Sequence, residues 1–433
     1  MNYICFLMIG LILMSPDARA QSSAASFTVG PTEDVWTLQD RLNHNLFYYP
    51  DMPIGVITTE DDSGYLFFAP GAGKNQTTQP NGVYMSAGRG LDKFAPAKMG
   101  PNGPKPSMEL GRLQPAPDGD YDRDYAGGGP TYVLKAPEYS LRGTTRKSDP
   151  AGSPILLQLY HGEYHPNAPS GQPSYGVSAL AVSYDYGNSF SKIGEILSPQ
   201  STLDETIQTN INVFADGNLV EADENGNPIE EEQVRPDNVY VYSVFSDRAA
   251  PQSPSGFSIA RVRKSDFIKA VLRKKAPFFE KYYNPGGTNN SSSACGQVRS
   301  QNDFFTQPGI GGCSTFIVTK PDAYIATPQV HYDDALRQFL MVYPQNQNSV
   351  WIRTASNLFN WSKAQILYTA VDSTSKVFYA SAVGAGYDPT ILGCKFFVYF
   401  VTGETTGYPN IWAGPNGTLM REEVDIDGLP TCP

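Results

Sequence analysis

Charge is thin in this sequence, and histidine is scarcer still. Only 17% of its 433 residues are Asp, Glu, Lys or Arg, and four are His. The net charge of −11 gives no basic surface for a phosphate backbone, so no nucleic-acid partner is expected. The one basic run, Arg273-Lys274-Lys275 near Lys264 and Lys269, reads as a solvated face. Past the first twenty residues no apolar stretch is long enough to cross a bilayer, so no membrane span is expected. There is no Gly-x-Ser-x-Gly elbow and no Walker sequence. Gly127-Gly128-Gly129 leads into Pro130 and a strand rather than a helix, so it is not a phosphate loop. What is abundant is Gly (40), Pro (35), Tyr (26) and Phe (22), the profile of many short strands joined by turns.

The first residues read as an export signal. Residues 6–14 form an apolar stretch too short to span a membrane, and Ala18-Arg19-Ala20 supplies a small-x-small cleavage site. A signal peptide over 1–20 and a secreted or periplasmic protein are therefore expected, with 21–433 as one domain and a monomer. Of five cysteines, Cys5 leaves with the leader. Cys295, Cys313, Cys394 and Cys432 remain, allow three pairings, and lack zinc-site spacing. The two local closures are favoured, Cys295 with Cys313 and Cys394 with Cys432. The first would close a Gly/Asn/Ser loop, worth roughly 3 kcal/mol in the chain-entropy account. The second would pin the C-terminal tail.

One unit recurs about five times. Its most apolar strand appears at 65–69, 155–160, 239–245, 339–343 and 396–401. These runs lack strict alternation, as strands covered on both faces do. Another strand follows at 82–86, 177–183, 257–262, 349–354 and 410–413. In the first four units a polar turn then leads to an aromatic: Phe94, Phe190, Phe267 or Trp361. An opening strand precedes the apolar one and begins around a proline, Pro53, Pro130, Pro328 or Pro389, with 210–213 standing in for it in the third unit. The repeats thus open near residues 53, 130, 210, 328 and 389. The segments 215–236 and 280–312 read as inserted loops of the third, the first carrying Glu230-Glu231-Glu232. Five such units predict an all-β, five-bladed β-propeller. A two-sheet sandwich could hold the strands but does not call for the same order five times.

The chemistry-bearing residues fall at ends of these strands. His161, Glu163 and His165 alternate along the second apolar strand, so they share a face opposite Tyr160 and Tyr164. That grouping suits proton transfer, binding of sugar hydroxyls or a metal. Asp388 opens the last repeat, where it either meets the central channel or caps a turn, and Asp51 is its counterpart in the first. Asp247 and Glu404 end their apolar strands as Glu163 does, which would ring one rim with acids. His331 falls on the inner strand of repeat four. Tyr125, Tyr132, Tyr164 and Tyr387 flank these points and could stack on a sugar ring or fill the core. Residues 183–190 fit S-x-D-x-G-x-S-F, an Asp-box turn that marks a fold rather than a site.

With its five repeats, its Asp388-Pro389 opening and its strand–turn–aromatic endings, the chain resembles the five-bladed propellers of the glycoside hydrolase family 43 type. The Asp-box also resembles those of sialidases. The first resemblance implies a secreted, inverting glycosidase acting on a poly- or oligosaccharide. Carried over by position, it implies Asp51 as general base, Glu163 as general acid and Asp388 as a third carboxylate. His161, His165, Tyr164, His331, Asp247 and Glu404 would contact substrate. No cofactor is required, and a structural calcium on the propeller axis is consistent with the resemblance. A non-catalytic glycan- or protein-binding propeller and a sialidase-type enzyme stay open as alternatives.

Overall fold

A computed structural model describes residues 25–46, 49–71, 82–100, 103–109, 121–135, 154–167, 173–229, 238–247, 256–284, 304–319, 325–404 and 417–429. The expected signal peptide, Glu230-Glu231-Glu232, Cys295 and Cys432 lie outside them, and with the two cysteines go both expected disulfide pairings. Among the described residues no helix is long and apolar enough to cross a membrane.

The described strands form five antiparallel sheets, each built outward from an inner strand, and a separate two-stranded hairpin of Met99–Gly100 and Gly103–Pro104. Blade one runs Gly55–Thr58, Tyr65–Gly71, Gly82–Gly88 and Ala95–Pro96. Blade two runs Tyr125–Leu134, Ile155–Tyr164, Tyr175–Ser183 and Ser191–Leu197. Blade three begins Gly217–Asp223, Val239–Asp247 and Gly256–Arg263, and adds Glu280–Tyr282 and Phe305–Pro308. Blade four runs Gln329–Asp333, Gln338–Gln345, Ser349–Ala355 and Gln365–Thr369. Blade five takes Ser375–Gly384, Lys395–Glu404 and Thr418–Ile426, and is completed by Phe27–Val29 from the other end of the chain. The protein is a five-bladed β-propeller.

Five apolar cores sit between neighbouring blades, and the second strands feed two of them at once. Phe339, Met341 and Tyr343 pack toward blade three, while Leu340 and Val342 pack toward blade five. Phe67 and Phe68 divide in the same way between blades five and two. Alternate side chains leave a strand on opposite faces, so a strand walled by blades on both sides must be apolar throughout. This is why the apolar runs lack alternation.

Three repeat openings differ from the sequence expectation. In blade three the inner strand is Gly217–Asp223, inside the segment read as an inserted loop, and 210–213 precedes it. A helix, Leu203–Thr209, ends at Asn210 in a left-handed conformation, so this segment turns a corner. The second expected insertion supplies the strands Glu280–Tyr282 and Phe305–Pro308. In blade five the inner strand is Ser375–Gly384, and Pro389 lies in the hairpin that follows it. In blade two Pro130 sits within the inner strand, where the register shifts between Gly128 and Thr131. Proline lacks the N–H a ladder needs, and a bulge removes that need as well as a strand start does.

Candidate active site

The inner strands of blades one to three begin at one mouth of the axial channel, and the second strands end there. Asp51 stands just before the inner strand of blade one. Tyr125 opens that of blade two and pairs across the ladder with Glu163. Asp216 immediately precedes that of blade three. The structure thus brings together Asp51, Tyr125, His161, Glu163 and His165, and adds Asp216 and Tyr379.

The hydrogen bonds form two linked sets. In the first, Asp51 Oδ2 accepts from the Tyr125 hydroxyl at 3.0 Å and Oδ1 from the Tyr379 hydroxyl at 3.2 Å. Tyr379 reaches it from blade five on a left-handed backbone, φ 57°, at the bulge between Phe378 and Ser381. Such a conformation is uncommon for a non-glycine residue and marks a position fixed by its surroundings. In the second set, His161 Nδ1 meets Asp216 Oδ1 at 2.5 Å and Nε2 meets Glu163 Oε1 at 2.7 Å. His165 Nε2 meets Glu163 Oε2 at 2.5 Å. The His161 ring lies between Tyr125 and Phe214, centroids 6.1 and 5.4 Å away. A side chain on Gly176 would collide with that ring and with Phe214, so the glycine makes room for both. Asp124 accepts from the His165 backbone N–H at 2.8 Å and holds Arg123, which donates to the His165 carbonyl.

These surroundings push the two carboxyls apart in charge. Burial drives Asp51 up to about 7; the Tyr125 hydrogen bond opposes this, and the negative charge of Glu163 adds to it. Burial also acts to raise Glu163, but its hydrogen bonds to His161 and His165 and their charges outweigh it, bringing it down to about 2. Burial acts to lower His161, yet the charge and hydrogen bond of Asp216, with those of Glu163, raise it to about 10. Near neutrality Glu163 is anionic beside a cationic His161, and Asp51 is poised to hold or release a proton.

Several expected site residues lie elsewhere. Asp388 is at the opposite mouth, where its Oδ1 caps the turn through the Thr390 N–H and hydroxyl and its Oδ2 lies 3.4 Å from Lys135. A hairpin after the inner strand necessarily emerges at the far end of the channel. Asp247 ends its strand on the same rim as Glu163 but is fully buried, accepting from the Gln200 N–H and the Ser314 hydroxyl. That makes it a structural acid. Tyr164 lies under the Arg123 guanidinium at 4.3 Å, so one face of its ring is already covered. Tyr387 is exposed, and Tyr132 donates to Glu221. His331 lines a cavity at the far mouth. Glu404 ends its strand opposite Ser375, and its side chain lies outside the described residues.

Among the described residues no group of three or more His, Cys, Asp or Glu could hold a metal. Calcium takes six to eight oxygens, and the described residues gather no such acidic set, so they do not suit it. The turn at 183–190 is closed by Asp185, which accepts from the Ser183 hydroxyl and from the Ser189 N–H and hydroxyl.

Asp216 and Tyr379 were missed by the sequence reading. Asp216 holds in blade three the place Asp51 holds in blade one, a correspondence visible once Gly217–Asp223 is taken as the inner strand. Tyr379 had no comparable signal, because a bulge breaks the two-residue period that would reveal its direction.

No protein-family profile matches this chain. No curated protein matches it either. Solved structures do. The α-L-arabinanase of Penicillium chrysogenum complexed with arabinobiose is 12% identical, with 93% of this chain and 100% of that one covered, at TM-score 0.42. The GH62 α-L-arabinofuranosidase catalytic domain of Coprinopsis cinerea is 9% identical, covering 94% and 99%, at 0.43. The α-L-arabinofuranosidase of Podospora anserina in complex with cellotriose is 10% identical, covering 93% and 97%, at 0.43. Likeness at this level transfers neither a substrate nor a mechanism.

Proposed function

We propose that the protein is an exported glycoside hydrolase that cleaves an O-glycosidic bond of a poly- or oligosaccharide between Asp51 and Glu163, with inversion. The observation that supports it is the pairing, at one mouth of the channel, of a carboxyl raised to about 7 and a carboxylate held ionised. Asp51 in its neutral form donates a proton to the departing oxygen. Glu163, kept anionic by His161 and His165, takes a proton from the attacking water on the other side of the sugar. Inverting chemistry places such groups roughly 6.5–9.5 Å apart so that water fits between them. These roles are the reverse of those the family resemblance implies, because the cationic partners surround Glu163 and not Asp51. Asp388, at the far mouth, takes no part. The third acid of this mouth is Asp216, which acts by positioning and charging His161.

The purified chain should release reducing sugar from at least one glycan in a panel of arabinan, arabinoxylan and galactan. Glu163→Gln and Asp51→Asn should each lower kcat by about 100-fold or more while leaving the circular dichroism unchanged. Proton NMR of the fresh product should show the inverted anomer. Wild-type rates in both variants would remove the assignment.

A second reading has its own support. Both oxygens of Glu163 are already hydrogen-bonded to histidines, which suits a fixed acceptor for sugar hydroxyls as well as a base. Glycan binding without turnover, lost in Glu163→Gln, would favour a non-catalytic binding propeller. The sialidase-type alternative gains nothing here, since Arg123 is committed to Asp124, the His165 carbonyl and the Tyr164 ring.

A further inference from the structure

The basic segment of this acidic chain lies on blade three, away from the Asp51 mouth. Residues 261–280 carry seven Lys or Arg against two Asp or Glu, whereas the whole chain has a net charge of −11. They run from the end of the strand Gly256–Arg263 through the helix Lys264–Leu272 and the turn beyond it. Arg263 pairs across the ladder with Tyr240, at the end of that strand opposite Asp247, so this surface lies on the far side of the blade from the rim of Glu163.

Strand and helix bound a groove of about 330 Å³ lined by Tyr240, Arg261, Arg263, Asp266, Phe278 and Glu280. Arg261 and Arg263 alternate along their strand and so project from one face. Aromatic rings hold both in place. The Arg261 guanidinium carbon lies 4.4 Å from the Tyr240 ring centroid and 3.9 Å from that of Phe305, and the Arg263 guanidinium carbon lies 5.4 Å from Tyr240. Both acids of the groove stand beside bases. Asp266 accepts from Lys269 at 2.6 Å, and Glu280 lies directly across the ladder from Arg261. Arg263, Lys269 and the run Arg273-Lys274-Lys275 are exposed, so the excess positive charge faces solvent. Phe278 is 68% exposed, a large apolar ring left in water at the wall of the groove.

Two features together choose the occupant. The excess of positive charge calls for an anion, and a guanidinium fits a carboxylate in particular. An anion alone leaves the Phe278 ring unexplained. A bilayer is a poor match, because Phe267, Ile268 and Val271 turn the apolar face of the helix into the core and leave it only charge to offer. A uronic acid carries a carboxylate on a ring with an apolar C–H face and so meets both features. We propose that this groove is a second binding site, for a uronate residue of an acidic glycan. Its carboxylate pairs with Arg263 and its ring stacks on Phe278. The helix is about 13 Å long, so the basic run at its end meets sugars farther along the same glycan. This inference does not depend on the reading of the Asp51 mouth.

Calorimetry with trigalacturonate in low-salt buffer tests it, with inorganic tripolyphosphate as the anion that lacks a ring. Trigalacturonate should bind the wild-type chain, more weakly as salt is added. Arg263→Gln should weaken that binding about tenfold and Phe278→Ala about fivefold, neither changing the circular dichroism, as both side chains are exposed. Glu163→Gln should bind as the wild type does. Absence of trigalacturonate binding, affinity left unchanged by Arg263→Gln or by Phe278→Ala, loss of binding in Glu163→Gln, or tighter binding of tripolyphosphate would each overturn the proposal.

Discussion

Tyr125 touches both halves of the candidate site, by its hydroxyl on Asp51 and by its ladder position against Glu163. Its phenol donates to the Asp51 carboxylate and so favours the ionised form. With Asp51 as the acid, activity should decline as pH rises through about 7, where its proton is lost. Removing the donor in Tyr125→Phe makes ionisation harder, so this alkaline limb should move up by roughly half to one pH unit. A kcat/KM profile reads this directly, and a limb that stays put or moves down would show that Asp51 is not the titrating acid. The acidic limb belongs to Glu163. His165→Ala removes a hydrogen bond and a charge that lower Glu163, so that limb should rise from its low position. At this scale the sequence was partly legible. His161, Glu163 and His165 share a face because a strand repeats every two residues, and no tertiary knowledge is needed to see it. Asp216 was hidden by a misplaced inner strand, and Tyr379 by a bulge. Asp247 shows the converse: the right rim was predicted, but burial by Gln200 and Ser314 turned a candidate ligand into a core anchor.

At the scale of elements, proline was the least reliable guide. It marks a strand opening in blades one and four, a mid-strand bulge in blade two and a hairpin in blade five. All three environments share an unneeded N–H, which is all that a proline reports locally. The bulge in blade two has a steric reason that glycine reveals. A Cβ on Gly129 would lie 1.9 Å from the Pro53 carbonyl oxygen, so the inner strands of blades one and two meet backbone to backbone there. Gly129→Ala should destabilise the protein by about 1–3 kcal/mol or more, read by urea denaturation, since neither backbone can yield cheaply. A neutral result would mean that the two strands can part without loss. The second strands were the most legible elements, because burial on both faces leaves a continuous apolar run that no other environment in this fold demands.

The whole ring depends on five interblade cores and one borrowed strand. Phe27–Val29 pairs with Thr418–Ile426, and Glu33–Trp36 joins the same partner farther along. Trp36, 1% exposed, fills the core between blades five and one beside Tyr49 and Tyr399. Deleting residues 25–36 should therefore abolish the single cooperative thermal transition or lower its midpoint sharply in calorimetry, whereas an unchanged midpoint would show that the ring closes without the borrowed strand. The five-fold repeat was legible from the recurring apolar runs. The borrowed strand was not, because three residues near one terminus carry no sign of a partner four hundred positions away.

That pairing also sets an order in time. Phe27–Val29 leaves the ribosome well before its partner, Thr418–Ile426. Until that partner emerges the circle stays ajar, and the exposed edge of the final sheet must be kept from joining a neighbouring molecule.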